Sequence, residues 1–293
     1  MREICRFCFH CIVFCIVVVG LAYVFNNYVI DLSKLPAFAG DRVYNAIKKS
    51  KQKTSHKKLL IGDSTANQFF DNTAGDSEFY SLACNQAVGL CGQFFLLNNY
   101  LQAGNKPEEV YLVYSPGAFS NNLGQKHTYH YFLKPFYRRE YMPLMTENVI
   151  KQVQKIPYHA FCQFPLIVSP AWAPDYEEAK KGNEVFLSPV SIDYLGKIDS
   201  LREQYQFRLY IVPSLVAQKE KAHISQFSVD NLDGEPYQKD MEVYLNNIAY
   251  LPDTCFVDDI HLARPWDYKP FMLEIMSQVK SQTDKNTEEK WRK

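Results

Sequence analysis

Short, continuously apolar segments separated by helix-like stretches constrain the fold of this chain more than any other feature. Apolar residues in these segments follow one another without polar alternation, which is typical of strands buried on both faces. Five strands are predicted, at residues 58–62 (KLLIG), 79–83, 109–114 (EVYLVY), 207–212 (FRLYIV) and 255–257. Helical spacing appears between and after them, at residues 93–103, 188–205, 235–250 and 267–280.

This order of elements predicts an α/β domain with a parallel sheet covered by helices on both faces. With 293 residues, of which 47% are hydrophobic, the chain has enough apolar material for such a core. We place the domain at residues 58–280. Its reactive groups should collect at the carboxyl ends of the strands.

An uncharged apolar run precedes this domain. Phe7–Phe25 reads FCFHCIVFCIVVVGLAYVF, and a helix of these 19 residues rises about 28 Å, close to the hydrocarbon thickness of a bilayer. Arg2 and Arg6 precede the run, and no Lys or Arg follows until Lys34. The positive-inside rule then predicts a cytoplasmic N-terminus and an extracytoplasmic domain, periplasmic or at the cell surface. Residues 1–28 are therefore predicted to be a transmembrane anchor.

Two alternatives to an anchor remain open at this point. A cleaved signal peptide is one, because Ala37-Phe38-Ala39 resembles a cleavage site, although it lies far beyond the apolar run. The other alternative is a buried helix of a soluble protein. This alternative is disfavoured because the run is apolar on all sides. We assign residues 29–57 to a juxtamembrane connector with a polar helix and a Lys-rich stem, and residues 281–293 to a frayed polar tail.

Charge and cysteine content narrow the function classes. Lys plus Arg and Asp plus Glu both number 32, and this balance disfavours a nucleic-acid binder, which needs a basic surface. Half of the eight cysteines lie in or directly beside the apolar run, where a CxxCxxC spacing lacks further ligands for a metal. The other four could pair in an exported domain or stay reduced. We expect no metal and no cofactor.

Residues suited to nucleophilic catalysis come directly after predicted strands. A serine hydroxyl is a weak nucleophile until a histidine removes its proton, and a carboxylate must orient that histidine. A spacing of three residues lets one short turn bring an Asp beneath a His ring. The groups are Gly62-Asp63-Ser64 after the first strand, Asn85, Gly89 and Gly92 after the second, and Asp258-Asp259-Ile260-His261 after the last.

Each of these pieces also has an ordinary structural explanation. Ser64 could cap a helix, and Asp258 with His261 could form a surface turn. Their joint position after the first and last strands of one domain favours catalysis. Asp63 is expected to support the turn through backbone hydrogen bonds rather than to react, and Asp259 to be a cap or surface carboxylate.

At these residues the chain resembles a known family. LLIGDSTANQF resembles the first block of the SGNH/GDSL hydrolases and DDIHLARP the last, so the resemblance covers residues 58–280. It implies a flavodoxin-like three-layer α/β/α sandwich and acyl-ester chemistry. It also implies that Ser64 is the nucleophile, His261 the base and Asp258 the group that orients the base.

The resemblance further implies an oxyanion hole built from the nucleophile's N–H, a glycine N–H and an Asn side chain. Gly89 fits the glycine role, with Gly92 as the alternative. The family's Gly-x-Asn-Asp block is replaced here by YSPGAF at residues 114–119, and the nearest Asn residues there, 121 and 122, come late. Asn85 could substitute as the side-chain donor, so we group Asn85, Gly89, Gly92 and Asp63 as the oxyanion and substrate pocket.

Membrane-tethered proteins of this kind resemble those that assist acyl transfer to extracytoplasmic polymers beside a multi-spanning acyltransferase. The resemblance therefore implies a serine esterase or O-acyltransferase that acts on an acylated glycan or a small ester. The alternative is a catalytically inactive binding or assembly subunit of a cell-envelope modification system, which the altered third block favours.

An aromatic-rich insertion at residues 119–187 interrupts the strand–helix order. It carries Tyr129, Phe132, Phe136, Tyr141 and Trp172, and we interpret it as a lid or substrate platform, with an aromatic core as an equal alternative. The HTYHYF segment within it contains an H-x-x-H pair, which fits aromatic lining better than metal binding.

Overall fold

Four parallel strands form the central sheet of the computed structural model, which describes residues 2–28, 41–76, 78–125, 127–163 and 185–291. The strands are β1 (Lys58–Gly62), β2 (Phe79–Ser81), β3 (Glu109–Tyr114) and β4 (Arg208–Pro213). Their spatial order is β2-β1-β3-β4, and every neighbouring pair is parallel. The prediction of an α/β domain with a parallel sheet is confirmed.

Helices connect and flank these strands. Two short strands, β5 (Val216–Ala217) and β6 (Tyr250–Leu251), form a separate parallel pair. The α-helices are α1 (Arg2–Tyr28), α2 (Asp41–Ser50), α3 (Ser64–Phe69), α4 (Gly89–Gln102), α5 (Lys134–Phe136), α6 (Glu147–Gln154), α7 (Pro189–Tyr205), α8 (Lys221–Ile224), α9 (Gln238–Asn246) and α10 (Pro265–Trp291).

Both faces of the sheet are buried. Successive strand residues point to opposite sides, so the residues of one strand enter two different core clusters. Leu59 and Ile61 of β1 join a core cluster that includes residues of α2, α4 and α7. Leu60 of β1 joins a second cluster with residues of α3 and α10. Complete burial of such a side chain contributes about 1.5–3 kcal/mol, which explains why these strands lack polar alternation.

The predicted fifth strand at residues 255–257 is wrong. A 3-10 turn at Asp253–Cys255 occupies its start, and Phe256 forms an isolated antiparallel bridge with Leu262. The backbone of this stretch therefore bonds within its own loop instead of extending the sheet. We call Phe256–Leu262 the histidine loop.

The first helix, α1, is apolar and unburied. Its segment Arg2–Val24 is long enough to cross a membrane and contains an 18-residue window with a mean hydropathy of 2.6, none of which is buried in the structure. A buried core helix of a soluble protein is therefore excluded, while a signal sequence meets the same criteria. The Ala37-Phe38-Ala39 segment lies outside the described residues.

Helix α2 lies in the stretch that we assigned to the connector, yet it packs on the domain. Val43 and Ala46 are fully buried in the core, and the Lys49 ammonium donates to the carbonyl of Ser81 at 2.9 Å. The folded body thus includes residues before 58, because α2 covers part of the sheet. At the other end, α10 continues beyond residue 280, where a frayed tail was predicted.

The aromatic insertion contributes to the core. Phe132, Phe136 and Tyr141 are buried and surround Phe95 of α4, with ring centroids 5.2–6.2 Å from it. Rings packed in this way cannot present their faces to a substrate, so the aromatic-core alternative describes them and the platform does not. Trp172 lies outside the described residues.

Candidate active site

The turn that carries Ser64 is held by Asp63. This residue caps α3, accepting hydrogen bonds from the backbone N–H groups of Thr65 at 2.9 Å and Ala66 at 3.4 Å. Its second carboxylate oxygen accepts from the N–H of Ser115, just beyond β3, at 2.9 Å. Asp63 is fully buried, so it supports the turn and offers no surface to a substrate.

Gly62 is required by a close approach between β1 and β3. A Cβ atom here would lie 2.2 Å from the carbonyl oxygen of Val113 and 2.7 Å from the Cβ of Ala66. Only glycine therefore allows the chain to turn at this point without displacing β3.

Sequence reasoning missed Gln93, which brackets Gly62. Its buried carboxamide accepts from the Gly62 N–H at 3.0 Å and donates to the Gly62 carbonyl at 2.8 Å. The sequence feature that could have identified Gln93 is its position as a single amide side chain in an otherwise apolar helical segment, GLCGQFFLL. A buried amide in such a place needs partners, and here they are the backbone groups next to the serine turn.

The histidine loop is organised by Asp258. One carboxylate oxygen accepts from the backbone N–H groups of Ile260 at 2.8 Å and His261 at 2.6 Å, and the other lies 2.8 Å from His261 Nδ1. Partial burial raises the pKa of the Asp258 carboxyl, but the hydrogen bonds from the His261 ring and the two N–H groups outweigh it and hold the pKa below its usual value. The group therefore stays ionised beside the imidazole.

The structure brings Ser64, His261 and Asp258 into one hydrogen-bonded row. His261 Nε2 lies 2.9 Å from Ser64 Oγ, although the residues are 197 positions apart. With the Nδ1 proton directed at Asp258, Nε2 is left to accept the serine proton. The His261 and Asp258 side chains are 29% and 52% exposed, which places this row at the surface.

Asn85 is positioned beside the serine turn. The preceding residue, Cys84, donates its N–H to the Gly62 carbonyl at 3.0 Å, which extends the β1–β2 pairing to the level of the turn. The Asn85 side chain is half-buried and makes no hydrogen bond with the part of the chain that the structure describes. Its amide donor is therefore not committed to another group in the described residues.

The two glycines after β2 have backbone and packing roles. Gly89 adopts φ +66°, which favours glycine, and its N–H donates to the Gln86 carbonyl. Gly92 is buried within α4, where a Cβ would lie 2.0 Å from Val88 Cγ1. Gly92 thus lacks access to a substrate, and the N–H of Gly89 is already engaged.

Asn121 supports the loop that carries Gly89. Its amide donates to the Gln86 carbonyl at 3.4 Å, its side-chain oxygen accepts from the Leu123 N–H at 2.9 Å, and the residue is 3% exposed. Both ends of this amide are therefore committed to the protein.

The remaining polar candidates lie outside the serine–histidine row. Asp259 forms an exposed ion pair with Lys219, and the carboxylate that contacts the imidazole is that of Asp258. In the described residues no three His, Cys, Asp or Glu side chains come together as a metal site, and His130 contacts the Lys134 ammonium at 3.2 Å. All eight cysteines lie in the described part of the chain and are free.

Comparisons with known proteins do not extend this description. No protein-family model, no curated protein and no solved structure matches the chain.

Proposed function

We propose that this chain is a membrane-anchored serine esterase or O-acyltransferase of the SGNH/GDSL type. The observation that carries the proposal is the continuous row from Ser64 to His261 to Asp258, with contacts of 2.9 and 2.8 Å. The substrate class is an acylated glycan or a small ester, because an exposed row of this kind admits a bulky polymer.

The reaction follows from the positions of the protons. Ser64 Oγ attacks the acyl carbonyl carbon while His261 Nε2 takes the hydroxyl proton, and Asp258 stabilises the imidazolium. The tetrahedral intermediate collapses as His261 returns the proton to the leaving alcohol, which leaves an ester on Ser64. Water or a sugar hydroxyl, deprotonated by His261, then attacks that ester, and His261 returns the proton to Ser64 Oγ as the acyl group leaves the serine.

Charge on the carbonyl oxygen needs hydrogen-bond donors. The Ser64 N–H and the free amide of Asn85 are the donors we assign to this role, and one such donor is worth about 10²–10³ in rate. The Gly89 N–H joins them only if it releases the Gln86 carbonyl. Asn85 thus replaces the side chain that the altered segment at residues 114–119 lacks.

The fold of the proposed family is a three-layer α/β/α sandwich. The order β2-β1-β3-β4, with helices packed on both faces, supports this assignment. So does the site's location, since Ser64 directly follows the carboxyl end of β1.

We further propose a single retained anchor with the domain outside the cytoplasm. The unburied apolar helix α1 and the two arginines near its start support this orientation. Retention in membranes after alkaline carbonate extraction, with residues 41–293 open to protease added outside, is the expected result. Release of a chain that begins after residue 39 would indicate a cleaved signal. A multi-spanning acyltransferase is the natural acyl donor if transfer prevails.

A fluorophosphonate probe tests the reaction. It phosphonylates a serine that a histidine activates, so wild type should be labelled and Ser64→Ala should not. His261→Ala should also lose labelling while keeping the same circular dichroism spectrum. A folded wild type that resists the probe at high concentration would contradict the proposal.

A binding or assembly subunit is the second candidate. The segment YSPGAF at residues 114–119 and the committed amide of Asn121 favour it, since both remove a donor from the expected place. This alternative predicts that wild type and Ser64→Ala bind an acylated glycan equally and that neither hydrolyses an aryl ester.

A further inference from the structure

Gln68 lies one helical turn after Ser64 on the same face of α3. These two residues are half-buried, whereas the other four members of the helix, Thr65, Ala66, Asn67 and Phe69, are buried. The spacing of four residues places their side chains next to each other on a helix surface. Both therefore face the histidine loop.

The carboxamide of Gln68 forms two hydrogen bonds with a single residue of that loop. Its oxygen accepts from the Leu262 N–H at 3.2 Å, and its nitrogen donates to the Leu262 carbonyl at 3.4 Å. Leu262 directly follows His261, which meets Ser64 at 2.9 Å. Two consecutive loop residues are thus held by two residues of one short helix.

This attachment matters because the other contacts within the loop do not fix its distance from Ser64. The bond from the Val257 N–H to the His261 carbonyl, at 2.8 Å, closes the loop on itself, as does the turn of Asp258. The Leu262 side chain is buried in the core beneath α3, which anchors the loop but leaves its backbone groups to be paired. Gln68 pairs both of them across 194 positions of sequence.

We infer that Gln68 is a positioning residue, which holds His261 Nε2 at the distance and angle that Ser64 requires. Its effect on rate rests on the proposed function, but its effect on the histidine loop does not. Misplacement of a catalytic group by about 1 Å can cost about 10²-fold in rate. Loss of Gln68 should therefore lower reaction with a fluorophosphonate by about 10- to 100-fold.

Three substitutions separate the two hydrogen bonds. Gln68→Leu removes both and keeps a similar size. Gln68→Glu keeps an acceptor for the Leu262 N–H but turns a carboxylate oxygen toward the Leu262 carbonyl. Gln68→Asn keeps the amide on a side chain that is one methylene too short. Gln278→Leu is the matched control, because Gln278 bonds only Glu274 among the described residues, on the exposed face of α10.

Two measurements on the full-length protein test the inference. The first is the maximal rate of phosphonylation and the probe concentration that gives half of it. Gln68→Leu and Gln68→Asn should lower the maximal rate and leave that concentration nearly unchanged. The second is amide hydrogen exchange in residues 256–263, which should accelerate in both variants while β1 and β3 stay protected. Gln278→Leu should match wild type in both measurements.

The outcomes distinguish this inference from the proposed function. A wild type that resists the probe contradicts the proposed function, and exchange in the histidine loop still decides the role of Gln68. Unchanged exchange and unchanged maximal rate in Gln68→Leu would overturn the inference. If Gln68→Leu fails to fold, Gln68→Glu decides the question. Faster exchange confined to residues 256–263 in that variant would support the inference, and wild-type exchange there would overturn it.

Discussion

The carboxylate of Asp258 accepts two hydrogen bonds from His261, one from its backbone N–H at 2.6 Å and one from ring Nδ1 at 2.8 Å. The same group therefore folds the loop and selects the imidazole tautomer. This double role links the local geometry of a three-residue turn to the placement of the imidazole against Ser64, which lies 197 positions away in the sequence.

Replacing Asp258 with Asn should lower the phosphonylation rate by about 10³–10⁴, because an amide can donate to Nδ1 and so favours the wrong tautomer. Asp259→Asn is the control, since that carboxylate pairs with Lys219 on the surface. It should react within a few-fold of wild type. Equal losses in the two variants would show that Asp258 does not orient His261.

Removing the amide of Asn85 tests the proposed oxyanion donor. Asn85→Ala should lower the rate of hydrolysis of an activated aryl ester by about 10²–10³ with little change in KM, because the lost contact forms in the transition state. Asn121→Ala should instead lower stability, because its amide holds the Gly89 loop. A large rate loss in Asn121→Ala alone would assign the donor to that residue.

The contact between Gly62 and β3 predicts a stability effect. Gly62→Ala places a Cβ 2.2 Å from the Val113 carbonyl oxygen, so the strands must separate. We expect the free energy of unfolding in urea to fall by about 1–3 kcal/mol. Gly117→Ala is the control, because nothing lies within 4 Å of a Cβ at that position. Equal midpoints for the two variants would contradict the prediction.

A buried carboxylate at the start of β3 predicts how stability depends on pH. Burial raises the pKa of Glu109, but hydrogen bonds from Lys280 at 2.5 Å and Tyr111 at 2.7 Å outweigh it, so the pKa lies below its ordinary value of 4.5. A carboxyl whose folded pKa is depressed stabilises the protein above its unfolded pKa. That stabilisation is lost as the pH falls through the folded value.

Glu109→Gln should therefore unfold more easily than wild type at pH 7, by about 2 kcal/mol, and the difference should shrink below pH 4.5. Glu108→Gln is the control, because its ion pair with Lys57 is exposed, and it should change stability by less than about 1 kcal/mol. Urea unfolding between pH 3 and pH 7 measures both. A difference that grows toward acid pH would reverse the sign of the prediction.

The local pattern of residues predicted the four strands of the sheet and the three members of the candidate row, together with a fifth strand that does not form. Nearly continuous apolar runs predicted β1, β3 and β4, because strands buried on both faces leave few positions for a polar side chain. Ser64 directly follows β1, as the pattern predicts, whereas Asp258 and His261 follow a 3-10 turn and an isolated bridge instead of the predicted last strand. A D-x-x-H spacing is short enough for one turn to fix, so its geometry is largely local.

Long-range packing decided what the sequence pattern left open. Gln68 and Gln93 form hydrogen bonds with backbone groups that are distant in sequence. The periodicity of the sequence does not predict which distant group a side chain will contact. The same holds for Phe132 and Phe136. Their sequence fits a substrate platform and a core equally well, and their packing against Phe95 of α4 assigns them to the core. Residue type and spacing determine strands and turns, but which groups converge depends on how the helices cover the sheet, and only the tertiary structure decides that.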